Sequence, residues 1–101
     1  MQKHEDDRRI LYSTPFMDGE LKTIITKKDC ELGNHYHKVK LEEFTLLSGE
    51  AELVLDGMYH PMELGESYLV EPNERHAFFI DKDSILICIC SHPYNSKDDY
   101  T

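Results

Sequence analysis

Short apolar runs separated by turn residues fill most of the chain. "LKTIITK" (21–27), "EEFTLL" (42–47), "AELVL" (51–55), "SYLV" (67–70), "HAFFI" (76–80) and "SILICIC" (84–90) are each too short for a helix and rich in β-branched and aromatic residues. Between them stand Asp18-Gly19, Gly33-Asn34, Ser48-Gly49, Asp56-Gly57, Gly65, Pro72-Asn73 and Asp81-Lys82-Asp83. No segment keeps a helical period over a dozen residues. Short strands at this spacing predict an all-β sandwich or barrel. Asp56-Gly57 predicts a tight hairpin, because both central positions of a type I′ turn take positive φ.

The alternation within the runs assigns faces. Glu42, Phe44 and Leu46 share one face, and Glu43, Thr45 and Leu47 the other; His76, Phe78 and Ile80 also share a face. The run 85–90 is apolar on both faces, which predicts cover on both sides. In so small a barrel the outer cover would come from a second copy, so a homodimer is expected.

At 101 residues the chain has room for one domain, expected over 1–101 with a core at about 20–91, a polar N-terminal segment and a short C-terminal extension. The net charge is −9, from 11 Lys+Arg and 20 Asp+Glu, with no basic stripe; this argues against a nucleic-acid partner. "MQKHEDDRRI" has no apolar signal region and no run is long enough to span a membrane, so a cytoplasmic protein with no membrane partner is expected. Three cysteines, Cys30, Cys88 and Cys90, do not make a disulfide framework. Cys88 and Cys90 share a strand face; a soft metal pair is one reading, and small buried apolar side chains among aliphatic neighbours are the preferred one.

The candidate chemistry lies in "GNHYHKVKLEEFTLLSGE" (33–50). His35 and His37 project to one side of an extended strand with Cα atoms roughly 6.5–7 Å apart, near enough to converge on one ion. Glu42 lies an odd number of residues beyond His37, so a bend within 38–41 is needed to return it to the same pocket. Downstream, "GESYLVEPNERHAFF" places His76 after a Pro72-Asn73 turn, facing inward ahead of Phe78. Together these four side chains predict a metal site. Glu43 should face outward, as should Tyr36. Tyr68 is the candidate catalytic acid or base of the cavity, with core packing as its other reading; Arg75 could clamp an anion at a strand end. His4, His60 and His92 have no partner at ligand spacing. Phe44, Leu46 and Phe78 are the expected apolar walls.

The first stretch resembles the first motif of the cupin superfamily, H-x-H, x4, Glu, x6, Gly, at every defining position from His35 to Gly49. "GESYLVEPNERHAFFI" (65–80) is similar to the second, G-x5-P-x-G-x2-H-x3-N, keeping Pro72 and His76 but carrying Glu71, Asn73 and Ile80 at the first proline, the glycine and the asparagine. The resemblance implies a single antiparallel jelly-roll β-barrel with His35, His37, Glu42 and His76 as ligands of one divalent metal ion. Three imidazoles and a carboxylate suit Fe, Mn, Ni, Co or Zn without choosing among them. "GNHYHK" and the apolar last strand with its Tyr/Asp-rich tail are also similar to cupins that act on nucleotide-linked sugars. The expected function is therefore metal-dependent isomerisation or epimerisation of a keto-sugar or similar small polar carbonyl compound. An Fe(II)-dependent dioxygenase and a non-catalytic small-ligand module are the alternatives.

Overall fold

The computed structural model describes residues 1–101 and contains ten strands: β1 (Gln2–Glu5), β2 (Arg9–Phe16), β3 (Gly19–Thr26), β4 (Cys30–His35), β5 (Glu42–Ser48), β6 (Ala51–Leu55), β7 (Met58–Pro61), β8 (Ser67–Val70), β9 (His76–Ile80) and β10 (Ile85–Cys90). A single 3-10 turn, Ser96–Asp98, follows. The strands form two antiparallel sheets, ordered β1-β2-β3-β10-β5-β8 and β4-β9-β6-β7. This is an all-β jelly roll. Hydrogen bonding does not close it into one continuous barrel, as the sequence had suggested; it is two sheets facing across a shared core.

Alternation places that core. Phe44 and Leu46 from β5, with Leu86, Cys88 and Cys90 from β10, meet Leu32, Leu53, Phe78 and Ile80 from the smaller sheet in one buried cluster. The Phe44 and Phe78 rings lie 4.6 Å apart, tilted by 53°. Fully burying a Leu or Ile side chain is worth about 1.5–3 kcal/mol, so Leu46, Leu53, Ile80 and Leu86 supply much of the force that holds the sheets together.

The segments flanking the expected core at 20–91 are both tied to the sheets. β1 and β2 extend the larger sheet, with Arg9–Phe16 paired along its whole length to Gly19–Thr26. Asp6 caps the turn between β1 and β2, its carboxylate accepting from the backbone N–H groups of Arg8 at 2.8 Å and Arg9 at 3.0 Å. The C-terminal tail is latched as well: Tyr36 and Tyr100 exchange backbone hydrogen bonds, and their rings stack at 5.2 Å.

The turn chemistry follows the sequence. Asp56 and Gly57 both have positive φ, 47° and 82°, as the hairpin requires. Asn73 takes φ 72°, so it supplies at the glycine position the left-handed backbone that the turn needs. No helix is long and apolar enough to cross a membrane.

Gly49 joins β5 to β6 at φ 89°, and a Cβ there would sit 2.1 Å from the Ser84 Oγ and 2.7 Å from its Cα. Ser84 cannot yield easily: it is fully buried, its N–H donates to Thr26 Oγ1 at 2.9 Å, and its Oγ accepts from the Glu50 N–H at 3.1 Å. Gly49→Ala should therefore destabilise the fold by more than about 1 kcal/mol, from the left-handed backbone together with the clash. Urea unfolding checks this; an unchanged midpoint would contradict the turn geometry.

Candidate metal centre

His35 ends β4 and His76 opens β9, and the two are directly opposed across the ladder after a register shift between Gly33 and His35. Gly33 (φ 88°) and Asn34 (φ 69°) make that bulge from two left-handed residues in succession, which re-aims His35 toward its partner. Beyond His35 the chain leaves the sheet. The Asp98 carboxylate gathers the N–H groups of Lys38, Val39 and Lys40 at 2.8, 3.2 and 3.2 Å. This is the bend that the spacing of His37 and Glu42 demands. Glu42 then opens β5 inward, 4 % exposed, while Glu43 points to solvent.

The histidines are held from behind. His37 Nδ1 meets the Asp98 carbonyl at 2.6 Å, His76 Nδ1 the Glu74 carbonyl at 3.2 Å, and His35 Nδ1 the Asp99 carboxylate at 2.9 Å. Each of these oxygens can only accept, so each Nδ1 carries a proton and each ring, when neutral, presents a lone pair at Nε2. The three Nε2 atoms converge. His35 Nε2 lies 3.1 Å from His76 Nε2, and Glu42 Oε1 lies 3.2 Å from His37 Nε2 and 3.4 Å from His76 Nε2. Oε1 is buried and has no hydrogen bond. Four acceptors facing one point repel one another unless something positive stands among them.

A divalent cation meets that need. Two imidazole nitrogens bound at about 2.1 Å lie about 3.0 Å apart at a right angle and about 3.4 Å apart at a tetrahedral angle, which brackets the distances here. The donor set of three imidazoles and one carboxylate, with its tautomers fixed by carbonyl and carboxylate acceptors, fits such an ion. His35, His37, Glu42 and His76 could hold it.

The group opens into a cavity of about 830 Å³. Leu32, Phe44 and Phe78 supply apolar wall, and Glu20, Lys22 and Lys40 supply charge. Leu46 lies deeper, in the core, and does not line the cavity. Lys40 is 5 % exposed, with its Nζ 3.8 Å from Glu42 Oε2. Glu20 lies on β3 beside Lys22, 3.6 Å away, and its Oε1 is buried without a hydrogen bond.

Tyr68 is not where a cavity acid or base must be. Its hydroxyl accepts from the Glu63 N–H at 2.8 Å and donates to the Pro61 carbonyl at 3.4 Å, and its ring packs on the core away from the cavity lining. Strand alternation turned it inward, but the 61–63 loop captured the hydroxyl. Arg75 is engaged too, over the Tyr36 ring at 5.4 Å. His4 reaches the cavity mouth, while His60 and His92 are exposed elsewhere. Sequence spacing missed Asp98, Asp99, Lys40 and Glu20; only the acidic tail "KDDY" gave a hint of the first two.

Electrostatics keep Glu42 ionised and His35 neutral, but favour a proton on His37 that a cation would have to displace. Burial would raise the Glu42 carboxyl, but the neighbouring His37 imidazole and Lys40 bring it down to about 2. Glu42 in turn holds His37 above its ordinary value. Burial, then the adjacent His76, press His35 down to about 4. Its folded value is below the unfolded 6.5, so the unfolded chain binds the extra proton first. The contribution to stability is present above pH 6.5 and is lost as pH falls toward 4.

Two outcomes follow for this centre. The metal-free protein should lose thermal stability between pH 6.5 and 4 more steeply than its His35→Gln variant; parallel pH profiles would argue against a neutral, desolvated His35. Asp99→Ala should weaken cobalt or zinc affinity by about 10–100-fold in calorimetric titration, because the His35 ring loses its orienting acceptor. Unchanged affinity would show that the Asp99 carboxylate does not orient His35 for binding.

The cupin domain family profile matches residues 18–92. No match was found among curated proteins. Among solved structures, the chain is similar to the capsular polysaccharide assembling protein CapF from Staphylococcus aureus (TM-score 0.82, 20% identity, 98% of this chain and 31% of that one). It is also similar to KdgF from Halomonas sp. (TM-score 0.80, 14% identity, 96% and 90%) and to ectoine synthase from P. lautus (TM-score 0.78, 17% identity, 92% and 70%). The chain spans about a third of the length of the CapF chains it matches. A profile matched over most of the residues, with the jelly roll and the histidine-carboxylate cluster at its centre, makes this chain a member of the cupin superfamily.

Proposed function

We propose that this cupin is a metal-dependent isomerase or epimerase of a keto-sugar or similar small polar carbonyl compound. The observation that carries the reading is the convergence of three Nε2 lone pairs and the orphaned Glu42 Oε1 at the floor of a cavity large enough for a sugar. The likeness to a capsular polysaccharide assembling protein supports a sugar substrate. A divalent cation in the His35, His37, Glu42 and His76 cluster would polarise the substrate carbonyl.

The chain's own groups do the rest. Lys40, buried beside Glu42, directs its ammonium at negative charge developing on the carbonyl oxygen. Phe44, Phe78 and Leu32 exclude water on one wall, which strengthens both effects. Glu20 takes the proton-moving role expected of Tyr68: it is a cavity carboxylate whose buried Oε1 accepts no hydrogen bond and has the Lys22 ammonium 3.6 Å away. In the ladders Glu20 pairs with Cys90, and Cys90 pairs with Glu42. The Glu20 and Glu42 backbones thus sit two strand spacings apart, roughly 10 Å, and both side chains line the same cavity.

The homodimer expected from the sequence belongs to this reading. Phe16, Leu41, Leu69 and Ile89 stand exposed along the outer face of the larger sheet, where a second copy would cover them. Sedimentation equilibrium tests that part.

Metal-loaded protein incubated in deuterated water with a panel of keto-sugar nucleotides should incorporate deuterium at the carbon beside the carbonyl. Glu20→Gln should lower exchange by about 10²–10⁴-fold and Lys40→Met by about 10²–10³-fold, both with metal content unchanged. Absence of exchange across the panel would sink the proposal.

A further inference from the structure

Glu42 has a second oxygen. Whereas Oε1 faces the imidazoles, Oε2 lies 3.5 Å from the Cys88 Sγ and 3.6 Å from the Cys90 Sγ, and the two sulfurs are 3.5 Å apart. All three residues are buried, Cys88 to 1 %, Cys90 to 2 % and Glu42 to 4 % exposure. Cys90 stands directly opposite Glu42 in the β10–β5 ladder, and Cys88, two residues back on the same face, lines the cavity wall. Cys88 thus stands on the same cavity wall as the imidazole cluster.

The spacing suits a tetrahedral cation. With metal–sulfur bonds of about 2.3 Å and metal–oxygen bonds of about 2.0–2.2 Å, ligand sulfurs lie about 3.8 Å apart and sulfur and oxygen about 3.5 Å. A disulfide is the competing chemistry, and the strand disfavours it. Cα atoms two residues apart on a strand are roughly 6.5–7 Å apart, at or beyond the upper end of disulfide geometry, and parallel side chains cannot bring their Cβ atoms to the ~3.8 Å it needs. β10 thus holds the two sulfurs side by side as a dithiol.

Charge is compatible with a divalent ion. Lys22, opposite Cys88 on β3, is met by Glu20 at 3.6 Å. Lys40 stands 3.8 Å from Glu42 Oε2. As the ion binds, the two thiols release their protons to solvent. Two thiolates and the Glu42 carboxylate then bring three negative charges against one from Lys40, and a divalent cation balances the difference.

We propose that Cys88, Cys90 and Glu42 Oε2 form a second metal site, for a thiophilic divalent cation of the zinc and cadmium class, with Glu42 bridging it to the imidazole cluster. The site needs neither the isomerase reaction nor Glu20 as base.

Metal-free, reduced protein titrated with cadmium, and separately with cobalt, should bind two equivalents. One of them should bring thiolate-to-metal charge-transfer absorption in the ultraviolet. The Cys88→Ser/Cys90→Ser double variant should bind one equivalent without that absorption. His35→Ala/His37→Ala should keep the absorption while losing the other equivalent, and Cys30→Ser should change neither. Saturation of the unmodified protein without charge transfer overturns the second site even if a variant fails to fold, whereas a single equivalent that carries the absorption supports it and counts against the imidazole site instead. Absorption that survives in the double serine variant also overturns the second site.

Discussion

Three imidazole rings have each committed their Nδ1 proton to an oxygen behind them: the carbonyls of Asp98 and Glu74 and the carboxylate of Asp99. That commitment leaves three Nε2 lone pairs and the bare Oε1 of Glu42 pressed toward one another within a few ångströms. Uncompensated, this arrangement is electrostatically unfavourable, and the protein maintains it with most of the devices around it. The Gly33-Asn34 bulge aims His35, the Asp98 cage bends 38–40, and the tail is fastened by Tyr36 and Tyr100. Strain kept where it has no structural use is best explained by a function at that point.

The two sheets have different parts in this. The smaller one supplies His35 and His76 as an opposed pair, so their separation is set by a strand ladder rather than by a loop. The larger one supplies Glu42 from β5 and, through β10 and β3, the Cys88, Cys90, Lys22 and Glu20 side chains that continue the same inner face. The apolar core beneath, centred on Leu46, Leu86, Leu53 and Ile80, fixes the distance between the sheets. Polar chemistry is gathered at one end of the interior and packing at the other, which allows the site to be charged without weakening the fold as a whole.

Glu42 is the residue on which both candidate sites depend. A carboxylate with two buried oxygens facing different donor sets, imidazole on one side and thiol on the other, is costly to desolvate. The His37 imidazole and Lys40 offset that cost and keep the group ionised. Tyr68, by contrast, shows how a correct facing can still mislead: its ring is directed at the interior, yet its hydroxyl finds backbone partners at Pro61 and Glu63 before it reaches the cavity.

The alternation of apolar and polar residues determined six of the strands, the Asp56-Gly57 hairpin, the inward facing of Glu42 and His76 and the outward facing of Glu43, because a period of two and a turn's need for positive φ are properties of neighbouring residues. It gave no sign of β1, which is polar and exposed throughout, or of β2, which is half-buried on both faces; those strands exist because their backbones pair. The four candidate ligands were legible from spacing together with a family resemblance. Which nitrogens of His35 and His37 face the centre was not, because the atoms that fix those two tautomers, on Asp99 and Asp98, come from about 60 residues away. The same holds for Lys40, Glu20 and the contact of Glu42 with two cysteines that read as ordinary aliphatic-strand residues. Local sequence sets which way a side chain points; what it meets there depends on strands brought together from distant parts of the chain.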